Sequence, residues 1–96
     1  MTKEDKLTLL KQDLQMLTSS NDAFLSSLLD AAQAAIQREG IVIPENDIDI
    51  DLCIVQYAAY LFRKRAGTDT AMPRFLRYRL NNIWLSQHVR GVSDDV

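Results

Sequence analysis

Three aspartates at alternate positions, Asp47, Asp49 and Asp51, have the spacing that comes nearest to a metal site in this chain. Carboxylates at positions one, three and five open the calcium loop of a helix–loop–helix motif. That loop also needs glycine at its sixth position and glutamate at its twelfth, where this chain has Leu52 and Ala58. We therefore predict that Asp49 and Asp51 are cap or first-turn residues of a helix, where carboxylates stabilise the positive end of the helix dipole.

Cys53 and His88 are the single cysteine and the single histidine of the sequence. A zinc site needs several such ligands, and a nucleophile needs a base beside it. One of each supplies neither arrangement, and the chain has no glycine-rich phosphate loop. We expect Cys53 to be a small core residue and His88 to be structural or solvated near a helix end. The sequence predicts no catalytic residue, no metal and no cofactor, so an enzyme is not expected.

A third possible chemistry is phosphate contact by the arginine- and aromatic-rich stretch "MPRFLRYRLNNIWLSQ", residues 72–87. On a helical wheel its core stripe spans about 100° and consists of Leu76, Leu80, Ile83 and Trp84. Arg77 and Arg79 flank that stripe on opposite sides, whereas a groove-reading helix gathers its contacts on one exposed face. This pattern favours a protein interface over sequence-specific DNA binding, and leaves weak contact with the DNA backbone open. The candidate subunit or partner contacts are Tyr57, Tyr60, Arg74, Arg77, Arg79, His88 and Arg90.

The elements that must position these residues are helices, and the predicted fold is an all-α bundle of about four. Apolar spacing and cap residues predict helices at about Lys3–Leu17, Asp22–Glu39, Asp49 or Asp51–Arg65, and Pro73–His88. Thr2 is the expected first cap, and Gly40 is placed to end the second helix. Residues 41–51 form a loop with a possible brief extended segment. Residues 89–96 are predicted to be a loose tail of this single domain.

The third predicted helix is apolar on nearly every side, with Gln56 alone interrupting the run from Leu52 to Phe62. A helix of this kind must be covered all round, and three other helices of a small domain cover only part of it. We expect the rest to face another subunit. The alternative is that Tyr57 and Tyr60 lie at the surface with solvated hydroxyl groups.

Charge is divided unevenly along the 96 residues, although the whole chain carries only −2. Residues 1–51 hold four basic and ten acidic side chains, and residues 52–96 hold seven basic and three acidic ones. The division is either chance or a sign that an acidic face of one copy meets a basic face of the next. No apolar run approaches the roughly 20 residues that cross a bilayer, so we expect no membrane partner and a cytosolic site of synthesis.

Three stretches carry a resemblance to a known family: "DAFLSSLLDAAQAAIQREGI", "DLCIVQYAAYLFRKR" and "MPRFLRYRLNNIWLSQ". They resemble the small head–tail connector proteins of long-tailed double-stranded DNA bacteriophages, also called head-completion, adaptor or DNA-packaging proteins. The resemblance covers roughly Lys6 to His88. Its motifs are an Asp-x-x-Leu opening, a Glu-Gly-Ile helix end, a Tyr-Ala-Ala-Tyr-Leu core, and Met-Pro followed by Arg-Leu-Asn-Asn.

This resemblance implies a helical virion subunit that forms a ring of about twelve copies beneath the portal protein. Such a ring extends the channel for double-stranded DNA without reading its sequence, and it gives a tail-side stopper protein a docking surface. The C-terminal segment, about His88 to Val96, would reach toward the portal. The implied location is the head–tail junction of the virion, and the host cytoplasm during assembly.

Two other functions stay open at this stage. The chain could be a small DNA-binding or DNA-packaging accessory protein that uses Arg74, Arg77, Arg79 and the cluster at residues 63–65 on phosphates. It could also be a host-encoded helical interaction module.

Overall fold

The computed structural model describes residues 1–67 and 71–94, with side chains described as far as Val89. Its four helices are α1 (Lys3–Asp13), α2 (Asp22–Arg38), α3 (Ile48–Ala66) and α4 (Arg74–Asp94). The described residues contain no strand, so the predicted all-α bundle of four helices is confirmed and the possible extended segment between α2 and α3 is absent. The molecule is elongated, with principal extents of 52, 28 and 18 Å.

Helix α1 begins as the sequence predicts but ends earlier. The Thr2 side chain accepts a hydrogen bond from the Asp5 backbone amide, and the Asp5 side chain accepts one from the Thr2 amide, which is a capping box. The helix ends at Asp13 because Gln15 takes a left-handed conformation, with φ of 58°. The predicted extension to Leu17 is therefore wrong, and the Leu17 side chain is 97% exposed.

Helix α2 ends where the pattern predicts, whereas α3 begins slightly earlier than predicted and is capped by Asp47. The backbone of Gly40 has a φ of +94°, a conformation that glycine adopts without strain, and it follows the end of α2. Helix α3 is capped by Asp47, whose side chain accepts a hydrogen bond from the Ile50 amide. Asp49 and Asp51 lie in its first turn, so the predicted role of these acids at a helix start is confirmed.

Ion pairs at both ends of the bundle establish the directions of the first three helices. Lys6 at the start of α1 lies 3.7 Å from Asp51 at the start of α3, and Asp13 at the end of α1 lies 3.2 Å from Arg63 near the end of α3. Helices α1 and α3 are therefore parallel. Phe24 at the start of α2 contacts Phe62 near the end of α3, so α2 runs antiparallel to both.

Helix α3 lies at the centre of the bundle, and its own chain covers it. Six of its apolar side chains are at most 5% exposed: Ile50, Cys53, Ile54, Val55, Ala58 and Ala59. Leu52, Tyr57, Tyr60, Leu61 and Phe62 are half-buried. Ile48 in the first turn is its one exposed large apolar residue within the described chain. Helices α1, α2 and α4 all contact α3, so its own chain covers more of it than the sequence predicts. A subunit contact at the half-buried residues stays a prediction.

Helix α4 extends beyond its predicted end. It starts directly after Pro73, whose carbonyl accepts the first helical hydrogen bonds from Leu76 and Arg77, as expected for a proline at a helix start. It continues through Gly91 to Asp94 rather than ending near His88, so the predicted tail begins inside this helix. One glycine within a helix costs only about 1 kcal/mol, and no proline follows it to stop the helix.

Candidate interaction surface on helix α4

Helix α4 rests on the bundle through one narrow stripe. Leu76 and Leu80 are fully buried, and Ile83 is half-buried one turn further on. Gln87 then forms two hydrogen bonds with Val42: its Oε1 accepts from the Val42 amide at 2.9 Å, and its Nε2 donates to the Val42 carbonyl at 2.8 Å. These bonds attach the segment after α2 to α4. They use both the amide and the carbonyl of Val42, as pairing with a neighbouring β-strand would.

Trp84 and His88 lie beside this contact between α4 and the segment after α2. Their rings stack with centroids 4.0 Å apart, and the Trp84 Nε1 lies 3.1 Å from the position that a Cβ on Gly40 would occupy. Any side chain at residue 40 would have to displace the indole. Trp84 is 38% exposed, so its predicted place in the core stripe is correct only in part. The His88 Nδ1 is 2.9 Å from the Trp84 carbonyl, which makes His88 a structural residue of the helix surface.

Arg77 forms a bidentate ion pair with Glu39, at 2.8 and 2.9 Å. This hydrogen bonding lowers the pKa of the Glu39 carboxyl below its ordinary value and raises the pKa of Arg77. Arg77 therefore joins the start of α4 to the end of α2 within one chain. A charge reversal at Arg77 would place two carboxylates side by side and weaken folding, so this residue is a poor probe of assembly.

Two further arginines of α4, Arg74 and Arg79, are more exposed. Arg79 lies 3.6 Å from Asp49, an exposed pair that contributes little to stability. Arg74 is exposed, and none of the described ion pairs includes it. The interface role predicted for these residues stays a prediction, and Arg74 is the arginine of α4 best placed to meet another molecule.

Of the remaining predicted contact residues, Tyr57 lies near the Arg77–Glu39 pair, whose charges act on its hydroxyl group. Tyr57 and Tyr60 on α3 are half-buried and pack edge to face at 5.9 Å, and burial raises the pKa of Tyr57. Lys64 lies 5.8 Å above the Tyr60 ring. Arg90 belongs to α4, but its side chain lies outside the described part of the chain.

The side of α4 opposite its buried stripe carries large apolar side chains, and the first of them border the start of α3. We use the term outer face for Phe75, Tyr78, Leu85 and Val89, which are 57%, 60%, 48% and 52% exposed. They recur at spacings of three, seven and four residues and so lie along one side of the helix, opposite the buried stripe. An apolar row of this length on a surface is characteristic of a protein–protein contact.

An open groove of about 680 Å³ lies between this helix and the first turn of α3. Its apolar lining is Ile50, Phe75, Tyr78 and Ile83, and its polar lining is Asp47, Asp49, Arg79, Asn82, Ser86 and Gln87. We call this site the α3–α4 groove. Its mixed lining suits a segment with one apolar side chain and polar neighbours.

The aspartates considered above as possible metal ligands have structural roles in the fold. Asp47 caps α3, Asp49 faces Arg79, and Asp51 is buried against Met1 and Lys6. In the described ranges no group of three or more His, Cys, Asp or Glu side chains is arranged to hold a metal ion. Cys53 is fully buried, as predicted, and desolvation raises the pKa of its thiol to about 11.

Three structural features were not predicted from the sequence. Glu39 and Gln87 are ordinary surface residues in the sequence, and only the packing of α4 against the end of α2 brings them to their partners. Leu17, the predicted last residue of the first helix, projects instead from the linker between α1 and α2. The left-handed residue before it, Gln15, has no distinctive sequence signal, because glutamine rarely adopts that conformation.

Comparison with known proteins assigns this chain to no family. Scans of protein-family models, of curated proteins and of solved structures found no match to this chain. Within the described residues, no helix is both long and apolar enough to span a membrane. The surface of α4 and the sequence resemblance described above are therefore the two indications of function.

Proposed function

We propose that this chain is a structural assembly protein that docks other protein surfaces on helix α4. The observation that carries the proposal is the outer face: its four large apolar side chains are each about half exposed in the described chain. Burial of such a row against a partner releases roughly 25 cal/mol per Å² of apolar surface. Arg74 at its start adds a charged group that can select the orientation of the partner.

The resemblance to head–tail connector proteins makes this proposal specific. In this role the chain is a virion protein that forms a ring of about twelve copies beneath the portal, joins capsid to tail and extends the DNA channel. Its partners are other copies, the portal protein and the tail-side stopper protein, and it acts at the head–tail junction. The all-α fold and the elongated shape, 52 Å in its longest dimension, are compatible with a subunit of such a ring.

Mass measurement of the purified chain, alone and mixed with the portal protein of the same phage, tests this role. We expect a defined ring on the portal, and we expect Arg74→Glu to reduce its formation while the thermal midpoint stays unchanged, because Arg74 is exposed. Val42→Glu, an exposed change outside α4, is the matched control. A chain that neither associates with itself nor binds the portal at micromolar concentration would contradict the proposal.

A DNA-binding accessory role is the second candidate, and its own test is salt dependence. The affinity of phosphate contacts falls steeply with salt. Several arginines that would make such contacts are already engaged: Arg77 with Glu39, and Arg65 over the Phe24 ring at 4.5 Å. Two results together would favour this role over assembly. The chain would bind duplex DNA measurably at about 200 mM salt, and the dependence of its affinity on salt would correspond to the release of several counterions.

A further inference from the structure

We infer that copies of this chain associate head to tail by inserting Leu17 of one copy into the α3–α4 groove of the next. The inference rests on the proposed assembly function and identifies the two surfaces that would meet. Leu17 is 97% exposed, the most exposed of the large apolar residues in the described chain. The groove, about 680 Å³, is lined by Ile50, Phe75, Tyr78 and Ile83 on its apolar side.

The linker between α1 and α2 holds Leu17 outward on an ordered backbone. The Met16 amide donates to the Lys11 carbonyl at 2.8 Å, and the Asp22 amide donates to the Ser19 carbonyl at 3.2 Å. Leu14 and Met16, which precede Leu17, pack against the core. The linker is therefore anchored on both sides of a projecting leucine, so little conformational entropy would be lost when a partner binds it.

Leu17 and the groove lie at opposite ends of the molecule. The linker follows Asp13, which pairs with Arg63 near the end of α3, whereas the groove contains Asp47, Asp49 and Ile50 at the start of α3. Nineteen helical residues separate these ends, a length of about 28 Å. The two surfaces cannot meet within one chain, and two different surfaces that meet between chains form a heterologous contact, which gives a ring when the rotation closes.

Polarity also matches across the proposed contact. Thr18, Ser19 and Ser20 follow Leu17 and are exposed, and the groove offers Asn82, Ser86 and Gln87 as hydrogen-bonding partners. Charge contributes little to this match, because Asp13 and Asp22 beside the linker pair with Arg63 and Lys11, and Arg79 in the groove faces Asp49. An apolar anchor surrounded by polar groups is the usual composition of a protein interface.

Disulfide trapping between two single variants tests the contact. Thr18→Cys places a thiol beside the intact Leu17, and Ser86→Cys places one in the groove with minimal change in shape. On mild oxidation of the mixed variants we expect the heterodisulfide, identified by mass spectrometry of the linked peptides, to exceed both homodisulfides. Native Cys53 is buried with a raised pKa and should not react. Predominant homodisulfides, or no heterodisulfide, would overturn the inference.

Two further substitutions test the leucine itself. Leu17→Asp in the Thr18→Cys chain should lower the heterodisulfide yield by about tenfold or more, as when a charge replaces an interface anchor. Gln37→Glu in the Ser86→Cys chain lies on α2, outside both the groove and the outer face of α4, and should leave the yield unchanged. Both positions are exposed, so circular dichroism should show unaltered melting. An unchanged yield with Leu17→Asp would refute the role of Leu17.

The contact and the proposed function can fail separately. If the heterodisulfide forms but the chain does not bind the portal, the contact stands and the virion role fails. If the chain forms its ring on the portal while the heterodisulfide is absent, the role stands and this contact is wrong.

Discussion

At the scale of single residues, Asp51 has the most demanding environment among the described side chains. It is 4% exposed, and its two carboxylate oxygens face the Met1 ammonium at 2.9 Å and Lys6 at 3.7 Å. A buried carboxylate of this kind is tolerated only when cations and hydrogen bonds replace its hydration. The pair also fixes the beginning of α1 against the beginning of α3.

Asp51→Asn should lower the free energy of unfolding by about 1–3 kcal/mol, because two partly buried cations lose their counter-charge. Urea denaturation measures this change. Asp30→Asn is the control: Asp30 pairs with Lys3 at 2.9 Å at an exposed position, and its loss should cost less than about 0.5 kcal/mol. Equal effects of the two substitutions would mean that the Asp51 ion pair does not stabilise the fold.

At the scale of helices, α4 is buried much less than α2 and α3. Leu76 and Leu80 are its only fully buried side chains among those described, and both lie in its first half. The second half depends on Trp84 and on Gln87, which contact the segment from Gly40 to Val42. We therefore expect the second half of α4 to open at a lower free energy than the core.

Leu80→Ala should destabilise the chain by about 2–4 kcal/mol, within the usual range for a buried leucine. Trp84→Ala should cost about 1–2 kcal/mol, well below the 3–5 kcal/mol of a fully buried tryptophan, because the indole is 38% exposed. Thermal or urea denaturation of both variants compares them directly. A tryptophan effect larger than the leucine effect would show that the stack on His88 contributes more than its burial indicates.

Gln87→Ala should change global stability by only about 1 kcal/mol, because both lost hydrogen bonds are solvent-exposed. Amide hydrogen exchange should nevertheless accelerate in α4 from about residue 84 onward, while α2 and α3 keep their protection. Gln37→Ala, on the exposed side of α2, is the matched control and should leave exchange in α4 unaltered. Uniform acceleration across all helices would contradict a local role for Gln87.

At the scale of the whole molecule, the uneven charge of the sequence is used largely within one chain. Three ion pairs join the basic second part to the acidic first part: Arg63 with Asp13, Arg77 with Glu39, and Arg79 with Asp49. Segregated charge along a chain therefore does not require a second copy. It serves here to bring helices from the two parts together.

The Arg77–Glu39 pair predicts a specific acid sensitivity. In the folded chain the pKa of Glu39 lies below its ordinary value of 4.5, so the stabilisation is complete above that pH and is lost as pH falls through the folded pKa. Glu39→Gln should therefore lose less stability than wild type between pH 4.5 and more acidic conditions. Urea midpoints against pH provide the measurement. Glu45→Gln, at an exposed loop position, should follow the wild-type curve.

The helices could be predicted from the sequence because each has local signals. Thr2, Asp47, Gly40 and Pro73 mark helix ends through hydrogen bonding or backbone conformation that neighbouring residues supply. The exposed surface could not be predicted in the same way. Whether Tyr57 or Tyr78 faces solvent depends on how the helices pack against one another. An apolar run such as that in α3 has the same sequence pattern at the centre of a monomer as in a subunit interface.

The depth of Cys53 in the core has a practical consequence. A thiol with no exposed surface and a pKa near 11 can be modified by an added reagent only after the surrounding helices separate. Its labelling rate under native conditions therefore reports how often the molecule opens. Followed with and without a binding partner, that rate would give the stabilisation conferred by assembly without any engineered probe.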